Sequence, residues 1–494
     1  MDNTRHVVIV GGGTAGWMAA AALSKTFADT IDICLIESDA IGTVGVGEAT
    51  IPAIKHFHQL LEIDEAEFMA AVNGTYKLGI AIENWGNLGG SYFHPFGVTG
   101  IDTWAAPFHH YWLKAKRQGN TSGLGEFSLE RCLAKANKFS KNLKHNPDYA
   151  YHFDASLYAR LLRKYSESRG VTRIEGKVIK VNTNDRSGFI ESVVLESGQA
   201  ISGGLFIDCS GFRGLLIEQT LGSGYEDWSH WLPCDRAVAV QTLTAASPEP
   251  YTRSIARGSG WQWRIPLQHR VGNGLVYCSQ YLSDDEARKT LLDNLDGQPL
   301  NEPRTLKFTT GRRRKLWIKN CVALGLASGF LEPLESTSIH MIHNSLLRLI
   351  KLFPAGEINQ SEINQFNREV KIEAEAIRDF IILHYHTTQR QDSPFWTYCR
   401  DMEIPDTLAH KLQLFKANGR IFREQNELFL ERSWTAVMLG QGLVPDGYHP
   451  LVDKLSDSEL DQLLGRIRAS IAVLAEQAPS HLDFIKHHCE APAL

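Results

Sequence analysis

The run Gly11-Gly12-Gly13-Thr14-Ala15-Gly16 follows the apolar stretch Val7-Val8-Ile9-Val10 and leads into Ala19-Ala20-Ala21. Glycines at this spacing can hold a dinucleotide. Gly11 permits a tight turn, Gly13 lets a pyrophosphate approach the backbone, and Gly16 lets the following helix pack closely on the strand. The phosphates then lie at the positive end of that helix, with Thr14 and Ala15 in its first turn. Ile31-Asp32-Ile33-Cys34-Leu35-Ile36-Glu37 reads as a second strand, ending on an acidic residue where a ribose-binding carboxylate is required.

Other residues carry chemistry of a different kind. Lys77 stands alone in the uncharged run Gly74-Thr75-Tyr76-Lys77-Leu78-Gly79-Ile80. A lone lysine in apolar company is either a snorkelling surface residue or a desolvated, reactive amine. Between Ser91 and Trp112 the rings of Tyr92, Phe93, His94, Phe96, Trp104, Phe108, His109, His110, Tyr111 and Trp112 crowd together. They can line a site for a flat aromatic molecule or form one block of core. Leu331-Glu332-Pro333-Leu334-Glu335-Ser336-Thr337-Ser338 reads as a turn opening a helix, whose first amides are available to an anion or a flavin edge. His384-x-His386 and His340-x-x-His343 lack third and fourth ligands at metal-binding spacing, so no metal is expected. Cys209-Ser210-Gly211 lacks the elbow pattern of a serine hydrolase.

These groups must be held by a large α/β scaffold. The chain has 494 residues, enough to bury a sizeable core without staples. Its 51 basic and 56 acidic residues leave a net charge of -5, so no nucleic-acid partner is implied. The cluster Arg312-Arg313-Arg314-Lys315 is expected to decorate a solvated turn ahead of a strand. Eight scattered cysteines without a C-x-x-C pair suit reduced thiols and a cytoplasmic location, with no signal peptide or membrane span.

Residues 151–170 read as a helix, and Thr172–Val181, Gly188–Leu195 and Leu205–Ile207 as strands, the last returning to the dinucleotide-binding sheet. Asp235 to Phe308 is mostly strand-like and predicts a largely antiparallel sheet covering the site. Cys321-Val322-Ala323-Leu324 makes a further return, ahead of a helix running through Leu346 and Leu349. The last 120 residues are mainly helical; there Ser456-x-x-Glu459 is a capping box, and Leu460, Leu463, Leu464, Ile467, Ile471 and Leu474 recur at helical spacing. The expected organisation is an FAD-binding module over 1–370 with an inserted sheet over about 90–300, then a helical region over 371–494.

Gly11-x-Gly13-x-x-Gly16-Trp17, Gly45-Val46-Gly47-Glu48-Ala49-Thr50, Trp261-x-Trp263-x-Ile265-Pro266 and Leu331-Glu332-Pro333-Leu334-Glu335-Ser336-Thr337, in that order, resemble the flavin-dependent tryptophan halogenase family over essentially the whole chain. The resemblance implies a Rossmann-like fold of the flavin monooxygenase type. It implies FAD used as FADH2 from a separate NADH-dependent flavin reductase, O2 as co-substrate, and bromide or chloride as halide. It implies a small aromatic substrate, no membrane, and a monomer or homodimer. The resemblance further implies that hypohalous acid passes through a tunnel to Lys77, which would hold it by hydrogen bond or as a haloamine beside an electron-rich ring, while Glu335 would polarise the halogenating species and take the ring proton.

Residue by residue, Gly11, Gly13, Thr14, Ala15, Gly16, Glu37, Ala49, Val178, Leu326, Ser336 and Ile339 fall at flavin positions, and Thr337 with Ser338 at the halide. His94, Phe96 and Trp434 fall at the substrate, and the bulk of Trp261 and Trp263, with Pro266, keeps substrate from the flavin. Two departures stand out. Ser338 replaces a family glycine at the halide, which points to bromide as well as chloride. The stretch Lys416 to Trp434 is short and shows no Tyr-Tyr with a downstream glutamate to grip the amino-acid end of free tryptophan, which points to an indole, a substituted aromatic or a larger indole-bearing molecule. A flavin monooxygenase on the same fold, and a flavin-binding protein without turnover, are the alternatives.

Overall fold

A computed structural model describes residues 5–41, 48–104, 106–244, 247–424 and 427–492. The Gly45-Val46-Gly47 part of the second glycine-rich loop lies outside the described residues, as does the side chain of Glu48.

The first sheet has six strands in the order Trp317–Ile318, Cys321–Ala323, Leu205–Asp208, His6–Val10, Asp32–Glu37 and Thr172–Glu175. All neighbours are parallel except the first pair. Strands buried on both faces must be apolar throughout, which is why Val7-Val8-Ile9-Val10 shows no alternation. The chain leaves this sheet and comes back twice, Val10 pairing with Asp208 and Asp208 with Ala323, as the sequence predicts. Buried Asp208 fixes the first return by accepting from the backbone amides of Ser210, Leu216 and Ile217 at 2.9, 2.7 and 2.8 Å.

The helix Thr14–Phe27 buries Trp17 to Ser24 almost completely, which its small residues make possible. A Cβ at Gly16 would overlap the Gly11 carbonyl, so only glycine permits this approach.

The second sheet has seven strands, in the order Arg304–Lys307, Arg236–Leu243, Arg270–Tyr277, Gly260–Pro266, Thr252–Arg257, Gly79–Glu83 and Ser91–Pro95. It is antiparallel apart from Thr252–Arg257 beside Gly79–Glu83. The sheet therefore begins earlier than the strand-rich stretch after Asp235 suggests, and the helix Asp284–Leu292 interrupts that stretch. Glu48–Ala49, Ala150–Phe153 and Thr75–Lys77 form a small antiparallel sheet.

Two expectations are corrected. Residues 150–153 are a strand, and the helix starts only at Ala155 because Asp154 caps it, accepting from the Ser156 and Leu157 amides; such a cap contributes about 1 kcal/mol. The basic cluster is not solvated at its first two residues. Arg312 and Arg313 are buried, in the strand Gly311–Arg313, and pair with Glu226 at 2.8 Å and Glu218 at 3.0 Å. Burial of two charges became possible because the fold supplies two carboxylates that lie far away in sequence.

The C-terminal part is helical. Gln360–His386 spans 27 residues, and Asp457–Gln477 opens with the Ser456–Glu459 capping box. Leu460, Leu464 and Ile467 pack on Phe108, Tyr111 and Phe127. Among the described residues no helix is long and apolar enough to cross a membrane.

Candidate active site

Lys77 ends the short strand Thr75–Lys77 and is completely buried. Its neighbours in the strand, Tyr76 and Thr75, anchor it. Tyr76 stacks on Phe139 with ring centres 4.2 Å apart, and the Thr75 hydroxyl donates to the Pro266 carbonyl at 2.6 Å. Lys77 Nζ donates to the Thr50 carbonyl at 3.0 Å and to Ser336 Oγ at 2.8 Å, and lies 5.1 Å from the centre of the Phe96 ring. Burial pulls its pKa down from 10.5 to about 7, although the nearby Glu335 charge pulls the other way. Lys77 is thus a desolvated amine that exchanges its proton near neutrality.

Glu335 ends the turn Pro333–Glu335, and Ser336 follows with φ 58°, a left-handed conformation. That turn places consecutive side chains on two partners: Glu335 on the histidines, Ser336 on Lys77. Glu335 Oε2 lies 2.9 Å from His94 Nδ1, and Oε1 lies 2.9 Å from His384 Nε2, a close approach that is off line for a straight hydrogen bond. Burial alone would push the Glu335 carboxyl up, but the two imidazoles outweigh it and hold the group at about 2.

Sequence reading singled out His384 only as half of an unconvincing metal pair. Its place behind Glu335 depends on a helix packing 49 residues further along. Among the described residues no cluster of His, Cys, Asp and Glu could hold a metal ion.

The aromatic stretch divides between the two roles considered for it. His94 is buried on Glu335 and Phe96 is half-buried under Lys77, whereas Phe108 and Tyr111 are core. Trp104 is 90% exposed. Trp434 is buried, its ring edge-on to Phe380 at 4.9 Å, and Phe380 stacks on Phe429 at 3.8 Å. Since His94 also lies against Phe380 and Phe429, Trp434 and His94 belong to one aromatic wall.

Trp261 and Trp263 point to the same side of their strand, as residues two apart must. Trp261 donates through Nε1 to Glu332 Oε2 at 2.9 Å, and Tyr385 donates to the same oxygen at 2.6 Å. Burial raises Glu332 to about 7. The pair therefore packs in the second core, against Trp85, each other and Glu332. Pro266, at the end of that strand, reaches the site through Thr75.

Whether the chain can take FAD is tested by the backbone of the glycine turn. Gly11 has φ 112°, and a Cβ there would overlap the Cys209 carbonyl. The bare backbone ahead of the helix Thr14–Phe27 fits a pyrophosphate. Glu37 closes the second strand nearby, but its carboxylate already meets Arg173 Nε at 2.5 Å and Trp17 Nε1 at 3.3 Å. Val178 stands in the next strand beyond Glu175, on the core that includes Val8, Val10 and Ile36. Leu326 sits in the turn Gly325–Ala327 after the strand Cys321–Ala323.

At the other end of the site, the buried Thr337 hydroxyl has no partner among the described residues beside the N-terminus of the 14-residue helix Ser338–Lys351. An orphaned hydroxyl at the positive end of a helix fits an anion. Ala49 precedes Thr50, and Thr50, Ile51, Ile54, Ile339, His340 and His343 line a narrow crevice between the two segments.

The family model described as tryptophan halogenase matches residues 6–457. Tryptophan 6-halogenase SttH of Streptomyces toxytricini is 35% identical, with 98% of each chain covered. Among solved structures, a flavin-dependent halogenase from Xanthomonas campestris superposes with a TM-score of 0.98 at 53% identity, covering 99% of both chains. The flavin-dependent halogenase BrvH from Brevundimonas superposes with a TM-score of 0.95 at 45% identity, covering 99% of this chain and 100% of that one. Agreement of this extent, joined to a glycine turn that admits FAD and a buried lysine linked to a buried carboxylate, has one reading. The chain belongs to the tryptophan halogenase family: it is a flavin-dependent halogenase, an enzyme that uses FADH2, O2 and halide on an aromatic substrate and works with a separate flavin reductase.

Proposed function

We propose that the enzyme halogenates indole or a related electron-rich aromatic with bromide or chloride, through Lys77 and Glu335. The observation that carries this reading is the Lys77–Ser336 hydrogen bond of 2.8 Å, which ties a fully buried amine to the residue next to Glu335.

Reduced FAD, when bound, supplies hypohalous acid from O2 and halide. Gly11, Gly13, Thr14, Ala15 and Gly16 would hold its pyrophosphate, with Glu37, Ala49, Val178, Leu326, Ser336 and Ile339 around the rest. Thr337 and Ser338, at the helix N-terminus, would hold the halide.

Lys77 then holds the hypohalous acid by hydrogen bond. As the ring carbon takes the halogen, a Lys77 proton leaves with the hypohalite oxygen as water. The ring proton passes to Glu335, the C–H electron pair restores aromaticity, and the proton returns to Lys77. A lysine near neutrality can both give and regain that proton, which an ordinary ammonium could not. Exclusion of water strengthens the attraction between the Glu335 charge and the cationic ring. His94, Phe96 and Trp434 provide the aromatic wall.

The short segment Lys416 to Trp434, which carries no Tyr-Tyr pair, supports a substrate other than free tryptophan. The Ser338 side chain at the halide position supports use of bromide as well as chloride.

The test is turnover of indole and of free tryptophan with FAD, a flavin reductase, NADH, O2 and each halide, followed by mass spectrometry. Mono-halogenated indole that disappears in Lys77→Ala is expected. Hydroxylated indole, or exclusive turnover of free tryptophan, would overturn the reading.

A further inference from the structure

Lys77 is carried by an edge strand. Thr75–Lys77 pairs with Ala150–Phe153 on one side only, so the backbone groups on its other side need partners from elsewhere. Tyr76 and Leu78, on alternate positions, both turn their N–H groups outward. Leu78 donates to the Pro250 carbonyl at 2.7 Å. Tyr76 donates instead to Nε2 of His481 at 3.2 Å, across 405 positions of sequence. Nδ1 of the same ring lies 2.8 Å from the Pro248 carbonyl. Pro248 and Pro250 have no N–H and cannot pair as a strand, so the imidazole bridges the gap where a neighbouring strand would lie.

The two contacts fix the state of the ring. A backbone N–H only donates and a carbonyl only accepts, so Nε2 is bare and Nδ1 carries the hydrogen. His481 is therefore neutral, in keeping with its complete burial, which pulls it down from 6.5 to about 4. It opens the helix His481–His488, and its own N–H donates to the Asn137 carbonyl at 2.9 Å, which gives the bridge a fixed base. The strand meets one other histidine: His152, on the paired side, reaches the Thr75 hydroxyl at 2.9 Å, one residue further from Lys77. Phe139 and Phe484 pack on the Tyr76 ring without direction, whereas the hydrogen bond sets the backbone from which the lysine stem departs.

We propose that His481 is a positioning residue for halogen transfer: as a neutral imidazole it holds the outer edge of the strand bearing Lys77 and so fixes the amine between Thr50 and Ser336. This rests on the proposed role of Lys77.

The test compares His481→Gln, whose amide oxygen reaches where Nε2 stands, with His481→Asn, whose shorter amide reaches only to Nδ1 and leaves the Tyr76 N–H without its acceptor. Both are studied as full-length holoenzyme. In His481→Asn, halogenated indole formed per hypohalite released should fall about tenfold or more, with hypohalite output unchanged. His481→Gln should restore the wild-type ratio. NMR of isotope-labelled lysine side chains, with the Lys77 signal assigned by its loss in Lys77→Ala, should place the Lys77 midpoint about one unit or more higher in His481→Asn, as water reaches the amine. NMR of labelled histidine rings in the wild type should show His481 as the neutral Nδ1–H tautomer, and this reading decides alone if His481→Asn does not fold. A His481→Asn enzyme that matches wild type in either measure, a His481→Gln enzyme equally impaired, or a charged or Nε2–H His481 would overturn the inference. If Lys77→Ala still halogenates indole, or the wild type halogenates none, the reading of the site fails by itself, and the Lys77 midpoint decides whether His481 sets the amine.

Discussion

Lys77 Nζ donates to Ser336 Oγ at 2.8 Å, and Ser336 is held in a left-handed conformation directly after Glu335. One tight turn therefore sets the spacing between amine and carboxylate. Substitutions at either group should separate oxidant production from oxidant use.

Lys77→Ala should leave FAD binding and hypohalite formation intact while product falls below detection. Capture of hypohalite by a 1,3-diketone reporter, measured beside arene halogenation, reads the two steps separately. Retained halogenation would remove Lys77 from the chemistry.

The same lysine leaves a mark on stability. Its pKa is 10.5 when solvated and about 7 in the fold. The cost of burying its charge is present in full below pH 7 and disappears as pH rises towards 10.5, because over that range the unfolded chain binds more protons. Lys77→Met should therefore raise Tm by several degrees at pH 6 and by much less at pH 10. Thermal melts at the two pH values check the sign.

Glu335→Gln removes a proton acceptor and keeps the shape. Turnover should drop about a hundredfold or more, the range seen when a general base is lost. Stopped-time product analysis at saturating indole gives the comparison, and an unchanged rate would leave Glu335 a purely structural role.

Glu332 provides a control on the neighbouring buried carboxyl. Raised by burial to about 7, it is tolerant of being neutral, so Glu332→Gln should cost little. Glu332→Leu leaves the Trp261 N–H and the Tyr385 hydroxyl without their acceptor and should cost about 1–3 kcal/mol for each orphaned group. Urea unfolding of the two variants distinguishes these cases.

Gly16→Val should abolish FAD binding, since its side chain must displace the Gly11 carbonyl that shapes the turn. Flavin fluorescence quenching on titration reads the loss.

Local signals made the first sheet legible. Gly11, Gly13 and Gly16 mark a turn whose spacing is set by backbone sterics, and both returns to the sheet follow from short apolar runs ending in small residues. Ser456 and Glu459 specify a helix start within four residues. What stayed hidden depends on partners distant in the chain. Nothing around Arg312 announces Glu226, so a buried cation reads as a solvated one. Lys77 in its own run reads first as a snorkelling surface residue and second as a reactive amine, because its burial is decided by Thr50 and Ser336. His384 follows a histidine pattern that suggests metal, and only the packing of its helix turns it to a carboxylate. At 151–153 an amphipathic helix pattern continues backwards past its true start, which the Asp154 cap defines.

The contacts that tune the lysine come from residue 50 on one side and residue 336 on the other, and those that hold the carboxylate come from residues 94 and 384. Without residue 336 packed against it, Lys77 lacks part of the enclosure that lowers its pKa. If the amine directs the oxidant as proposed, the fold acts as an interlock: a truncated or half-assembled molecule that still reacted with oxygen would have no desolvated amine to receive it.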